Sequence, residues 1–147
     1  MGELPSAILF CCTSNVIRSA MAEGIAKRLF GTRVYVDSVG VRAGEIDPFV
    51  AEVMDEIGVD MSKHRPKTFD QLEDSSFDIV VSLSPEAQHK AVDLTRTLAC
   101  DVEYWPTFDP SLADGSRDCR LDAYRAVRDE LMRKIKERFP IHRMARE

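Results

Sequence analysis

Five residues, Thr13-Ser14-Asn15-Val16-Ile17, separate Cys12 from Arg18, and Ser19 follows the arginine. A thiol and a guanidinium at this spacing suit chemistry on a small oxyanion. Arginine can grip two oxygens of a phosphate-shaped group through its planar fork. Cysteine in its thiolate form is a nucleophile toward such a group. Both residues must sit on a turn whose backbone N–H groups point inward, with a helix N-terminus adding positive potential. The flanking residues are right for that. An apolar run, Ala7-Ile8-Leu9-Phe10-Cys11, reads as a strand leading in, and Met21 to Phe30 reads as a helix leading out. The plainer alternative is that Cys12 ends a buried strand while Arg18 caps a surface helix. The strand before, the helix after, Asn15 inside and Ser19 behind Arg18 together favour the chemical reading.

The elements that must position this loop follow in order. Gly31 stops the first helix. Arg33 to Ser38 reads as a second strand, β-branched and aromatic, broken by Gly40 and Gly44. Asp47-Pro48 opens a helix, with Phe49, Val50, Val53, Met54 and Ile57 at helical spacing and Gly58 after it. A polar loop from Asp60 to Thr68 contains His64, and Phe69 to Leu72 makes a short helical turn. Phe77 to Leu83 reads as a buried strand. Pro85 starts a helix to about Leu94, Asp101 to Trp105 is a fourth strand, and a loop with Pro106, Asp109 and Pro110 follows. A last helix runs from about Leu121 to Phe139, with Tyr124, Val127, Leu131 and Ile135 as its apolar stripe and Pro140 as its stop. Strands alternating with helices predict a parallel sheet covered on both faces, with any ligand beyond the carboxyl ends of the strands. Cys12 stands there.

The 147 residues form one domain, 1–147, with no internal repeat or linker. Hydrophobic content of 44% and charged content of 31% are ordinary for a soluble protein, and a net charge of −5 gives no sign of nucleic-acid binding. The basic residues Arg125, Arg128, Arg133, Lys134, Lys136 and Arg138 are interleaved with Asp129, Glu130 and Glu137, which reads as a solvated helix face. No apolar run approaches membrane-spanning length and no signal peptide is visible, so no membrane is expected. Met1-Gly2 with Ser6 matches a myristoylation pattern formally, but Glu3 and Pro5 make a poor flank. Cys11, Cys12, Cys100 and Cys119 resemble neither a disulfide framework nor a zinc knuckle, which points to a reducing cytoplasm. Cys11 should face away from Cys12, because successive strand side chains alternate.

The chain resembles the low-molecular-weight protein tyrosine phosphatases, whose fold is shared with thioredoxin-coupled arsenate reductases. The resemblance covers nearly the whole chain. It is carried by Ile8-Leu9-Phe10 leading to Cys12, by Arg18-Ser19 and Met21-Ala22-Glu23, by Ser38-Val39-Gly40, by Gly58 through His64-Arg65, and by Asp109-Pro110. It implies a flavodoxin-like, three-layer α/β sandwich with four parallel strands in the order 2-1-3-4. It implies a phosphate-binding loop from Thr13 to Arg18, Cys12 as the nucleophile, Arg18 as the clamp and Ser19 as a donor easing thiolate departure. It implies Asn15 in a left-handed conformation, which asparagine tolerates, held by Ser38 and His64. From the residues alone His64 would be an ordinary surface histidine. It implies no metal and no cofactor. The substrate would be a phosphorylated protein or a small phosphate ester, with phosphate or another oxyanion in the loop.

Asp109 is the general acid by the same resemblance. A phosphate ester leaves as an alkoxide or phenoxide, so an acid must reach the leaving oxygen. Pro106 and Pro110 stiffen the loop around it; the alternative is a turn-forming Asp before Pro. Three positions depart from the family. Ile17 replaces a second loop cysteine of eukaryotic members. Ser111-Leu112 stands where many phosphatases place aromatics. Ser84 and Ala91 stand where the reductases have their redox pair, although Tyr104-Trp105 to Asp109-Pro110 looks closer to the reductases. Phosphomonoester hydrolysis is therefore the first expectation. Arsenate reduction, with Cys100 or Cys119 as substitute relays, is the second. A non-catalytic phosphate-binding module is the third.

Overall fold

The computed structural model describes residues 4–73 and 76–140. The Met1-Gly2 pattern lies outside the described residues. β1 (Ala7–Cys12) is buried along its whole length, which is why it reads as a continuous apolar run and not an alternating one. It pairs in parallel with β2 (Tyr35–Gly40) on one side and with β3 (Ile79–Ser82) on the other. β4 (Asp101–Tyr104) pairs with β3, giving the order β2-β1-β3-β4. The helices are α1 (Arg18–Phe30), α2 (Pro48–Asp55), α3 (Pro85–Leu94) and α4 (Arg117–Arg138).

Strand alternation sorts the core into two. Ile8, Phe10 and Cys12 face a layer built from α1, α2 and α4, whose Met21, Ile25, Val53, Met54, Tyr124, Leu131 and Ile135 fill it. Ala7, Leu9 and Cys11 face the other side, with Phe77, Val80 and Ala87 and Ala91 of α3. Burying one such aliphatic or aromatic side chain stabilises the fold by roughly 1.5–3 kcal/mol. Cys11 thus belongs to the opposite layer from Cys12, as alternation requires. Its thiol lies 3.7 Å from the Val81 carbonyl, and burial, then the neighbouring Cys12, pushes its pKa up.

Several boundaries differ from the expected ones. β2 starts two residues later, because Gly31–Arg33 forms a 3-10 turn with Gly31 at φ 61°. It also continues through Gly40, which pairs with Cys12 and does not break the strand. α4 starts four residues earlier than Leu121, because the Ser116 side chain accepts a hydrogen bond from the Cys119 N–H at 3.2 Å and caps it. Arg128 is a correction to the solvated-face reading: it is buried, and its guanidinium donates to the Val53 carbonyl, Glu56 and Asp129, each at 2.8 Å. Arg125 and Arg138 reach Glu56 and Glu103, so this helix is fastened by its cations. Among the described residues no helix is long and apolar enough to cross a membrane.

Candidate active site

The loop between β1 and α1 lies just past the carboxyl end of β1. Its outer side is held by other segments through four successive carbonyls. Those of Cys12, Thr13 and Ser14 accept the N–H groups of Val41, Arg42 and Gly44 at 3.1, 3.0 and 2.9 Å, and that of Asn15 accepts from His64 Nε2 at 2.8 Å. In a trans peptide the following N–H points opposite to the carbonyl. Four carbonyls turned outward therefore turn the N–H groups of Thr13, Ser14, Asn15 and Val16 toward the inside of the loop. Such a row of inward donors can cradle an anion.

Gly40 makes the closure possible. A Cβ there would come within 2.6 Å of the Arg42 carbonyl oxygen and 2.7 Å of the Asn15 nitrogen. Only glycine lets the loop lie this close to β2.

Cys12 Sγ sits inside, with the Asn15 N–H at 3.3 Å, the Ser19 N–H at 3.4 Å and the Ser19 hydroxyl at 3.0 Å. Asn15 has φ 60° and is the one non-glycine residue with positive φ among those described. Its side chain is fully used. Nδ2 donates to Ser19 Oγ at 2.9 Å and Ser38 Oγ at 2.8 Å, and Oδ1 accepts from the Lys67 N–H at 3.0 Å. Ser38 in turn donates to Glu23, which also receives Lys27 and lies 3.9 Å from His64 Nδ1. Ser38 and His64 are thus both brought to Asn15, the first to its side chain and the second to its carbonyl.

Arg18 opens α1. Its Nη1 donates to the Thr107 carbonyl at 3.1 Å and its Nη2 to Thr13 Oγ1 at 3.4 Å. Asp109, two residues beyond Thr107, is half-buried; its Oδ1 accepts the Ser111 N–H at 3.0 Å and the Ser111 hydroxyl at 2.7 Å. Asp109 is therefore linked to the loop through the segment that Arg18 grips. Ile17 is buried against the core, and Val16 lines a small crevice with Ile46, Val50, Met61 and His64. Among the described residues no group of three His, Cys, Asp or Glu side chains could hold a metal.

Ser84 caps α3 and is buried, and Ala91 lies buried on the same helix. All four cysteines are free. Asp101 is level with Ile79 and Ile79 with Ile8, so Cys100 stands at the opposite end of the sheet from Cys12. The separation along the strands is about 13 Å or more at ~3.3 Å per residue, whereas a disulfide needs Cα atoms within roughly 7 Å. Cys119 is exposed in the first turn of α4.

Lys67, Glu23, Thr107 and the hydrogen-bonding role of Ser84 were not singled out from the residues. The contacts of Lys67 and Thr107 to the loop are made by backbone groups, which carry no sequence signal. Ser84 before Pro85 is readable as a cap, but its bond to Thr13 is not.

A model of the low molecular weight phosphotyrosine protein phosphatases matches residues 7–143. The chain belongs to that family. It is 35% identical over 131 residues to an arsenate reductase of Halalkalibacterium halodurans, covering 88% of this chain and 91% of the relative. An arginine phosphatase of Geobacillus stearothermophilus superposes with a TM-score of 0.69 at 26% identity, covering 90% of this chain and 89% of the other. A tyrosine phosphatase of Erwinia amylovora shares the fold, with a TM-score of 0.71 at 20% identity and 90% of each chain covered. The 2-1-3-4 sheet of this enzyme family is the one found here.

Proposed function

We propose that the protein hydrolyses phosphate monoesters through a cysteinyl-phosphate intermediate. The observation that carries this reading is the convergence of two N–H groups and the Ser19 hydroxyl on Cys12 Sγ, inside a loop four of whose carbonyls point away. Those donors favour negative charge on sulfur and on a bound phosphoryl group. In the first step Cys12 thiolate attacks phosphorus. The S–P bond forms as the P–O bond to the leaving group breaks, and Asp109 gives that oxygen its proton. In the second step Asp109 carboxylate takes a proton from water. The water oxygen attacks phosphorus, orthophosphate departs, and the thiolate returns, with Ser19 stabilising it. Arg18 holds two phosphoryl oxygens throughout. Asn15, Ser38 and His64 keep the loop in shape. The apolar crevice at Val16 and Ile46, together with exposed Phe108 and Leu112, supports an ester with an apolar or aromatic leaving group. Cys12→Ser should lose aryl phosphate hydrolysis yet still bind inorganic phosphate; appreciable turnover by this variant sinks the reading.

Arsenate reduction is the second reading, favoured by the curated relative at 35% identity. The loop alone cannot discriminate, since arsenate has the shape of phosphate, so the electron relay must. Ser84 and Ala91 carry no electrons, and Cys100 lies at the far end of the sheet, which leaves Cys119 as the substitute relay to test. Incubation with arsenate, thioredoxin, its reductase and NADPH should give no sustained NADPH consumption. Sustained consumption that Cys119→Ser abolishes would establish the reductase instead.

A further inference from the structure

Both edges of the Arg18 guanidinium trace back to one dipeptide at the end of β3. Nη1 donates to the Thr107 carbonyl at 3.1 Å, and the Thr107 N–H donates to the Leu83 carbonyl at 3.1 Å. Nη2 donates to Thr13 Oγ1 at 3.4 Å, and Thr13 Oγ1 bonds Ser84 Oγ at 3.1 Å. Leu83 and Ser84 therefore close a ring through the clamp, one residue by its backbone and the other by its side chain.

One proton direction in that ring is fixed by elementary chemistry, and the geometry gives the next. A guanidinium has donors only, so Thr13 Oγ1 must accept from Arg18. Thr13 in turn donates its own hydroxyl proton to Ser84 Oγ, which is the acceptor of that bond. That oxygen also accepts the Ala87 N–H at 3.3 Å as the cap of α3. Ser84 is 2% exposed, so its hydroxyl is held in a dry and rigid place, against the first turn of a helix. An alanine here would leave Thr13 free to turn its oxygen away from Arg18.

We propose that Ser84 is a positioning residue of the phosphate site: its hydroxyl orients Thr13, and Thr13 orients the Arg18 clamp. This rests on Arg18 being the oxyanion clamp. It gives the position where arsenate reductases carry a redox cysteine a different duty in this chain. The side chain there reaches the same loop, but as a hydrogen-bond acceptor and not as an electron carrier.

The test is a double-mutant cycle on the full chain, read by inorganic phosphate affinity and by kcat and KM for an aryl phosphate. Ser84→Ala should weaken phosphate binding about three- to tenfold, the usual size of one lost hydrogen bond. Thr13→Val should do the same, and Ser84→Ala added to Thr13→Val should change it less than twofold. Ser84→Thr, which keeps the hydroxyl, should restore binding. Ser84→Gly, which spares most of the helix cap, should behave as Ser84→Ala in binding while losing less thermal stability. Equal weakening by Ser84→Ala in both backgrounds, or none in the wild-type background, overturns the proposal. If the wild type binds phosphate but hydrolyses no aryl phosphate, the phosphatase reading fails and the phosphate affinities still decide the role of Ser84. A wild type that binds no phosphate overturns both.

Discussion

His64 Nε2 lies 2.8 Å from the carbonyl oxygen of Asn15, so the imidazole proton sits on Nε2 and is given to the loop. A carbonyl has no proton to donate, which settles the direction. Without that donor, the carbonyl of a residue held at φ 60° loses its partner. His64→Ala should weaken phosphate binding about tenfold, which corresponds to ~1.4 kcal/mol. Glutamine can place an N–H near the Nε2 position, so His64→Gln should retain most of the affinity. Titration calorimetry with inorganic phosphate separates the two; equal loss in both variants would mean that ring packing matters and the hydrogen bond does not.

Asp109 is held by Ser111 through Oδ1, which leaves Oδ2 for the proton transfer proposed for it. Asp109→Asn should slow esters with poor leaving groups by roughly two to four powers of ten, and those with good ones far less. A leaving-group series on aryl phosphates measures this. Uniform slowing would assign Asp109 to the turn alone.

Peroxide should inactivate the protein by oxidising Cys12 to sulfenic acid. Ile17 is not a thiol, and Cys11 lies in the opposite core layer, where burial pushes its pKa up; both its direction and its burial count against it as a trap for the sulfenic acid. Oxidation should therefore run on to sulfinic acid, which dithiothreitol does not reverse, and phosphate should protect. Mass spectrometry of the peptide holding both cysteines decides: an intrapeptide disulfide with full recovery on reduction would refute the orientation drawn for Cys11.

Stability should depend on pH through Glu56. Hydrogen bonds from Arg125, then from Arg128, lower its carboxyl to about 2. A carboxyl depressed on folding contributes stability above its ordinary value of 4.5, and this is lost as pH falls toward about 2. Glu56→Gln should lower the melting temperature at neutral pH and flatten its fall between those two values. Parallel curves for wild type and variant would count against the link.

The strand–loop–helix around Cys12 was legible because a fully buried strand leaves a continuous apolar run and the helix after it a helical pattern, on either side of polar residues. Asp47-Pro48 and Pro85 were legible as helix starts because proline suits a first helical turn. The start of α4 was not, since Ser116 caps a polar stretch with no apolar period yet begun. Gly40 misled because glycine usually ends a strand; here a neighbouring loop needs the missing Cβ. The Lys67 N–H and the Thr107 carbonyl were invisible in principle, as nearly every residue offers the same groups and only tertiary folding chooses among them.

The outward carbonyls of the loop also turn a surface segment into a gauge of the site. The amides of Val41, Arg42 and Gly44 can exchange with deuterium only when their bonds to Cys12, Thr13 and Ser14 break. Though Arg42 itself is exposed, its amide should exchange slowly, and all three should slow together when phosphate fills the cradle. Their common rate would then time the opening of the Cys12 loop, read from residues outside it.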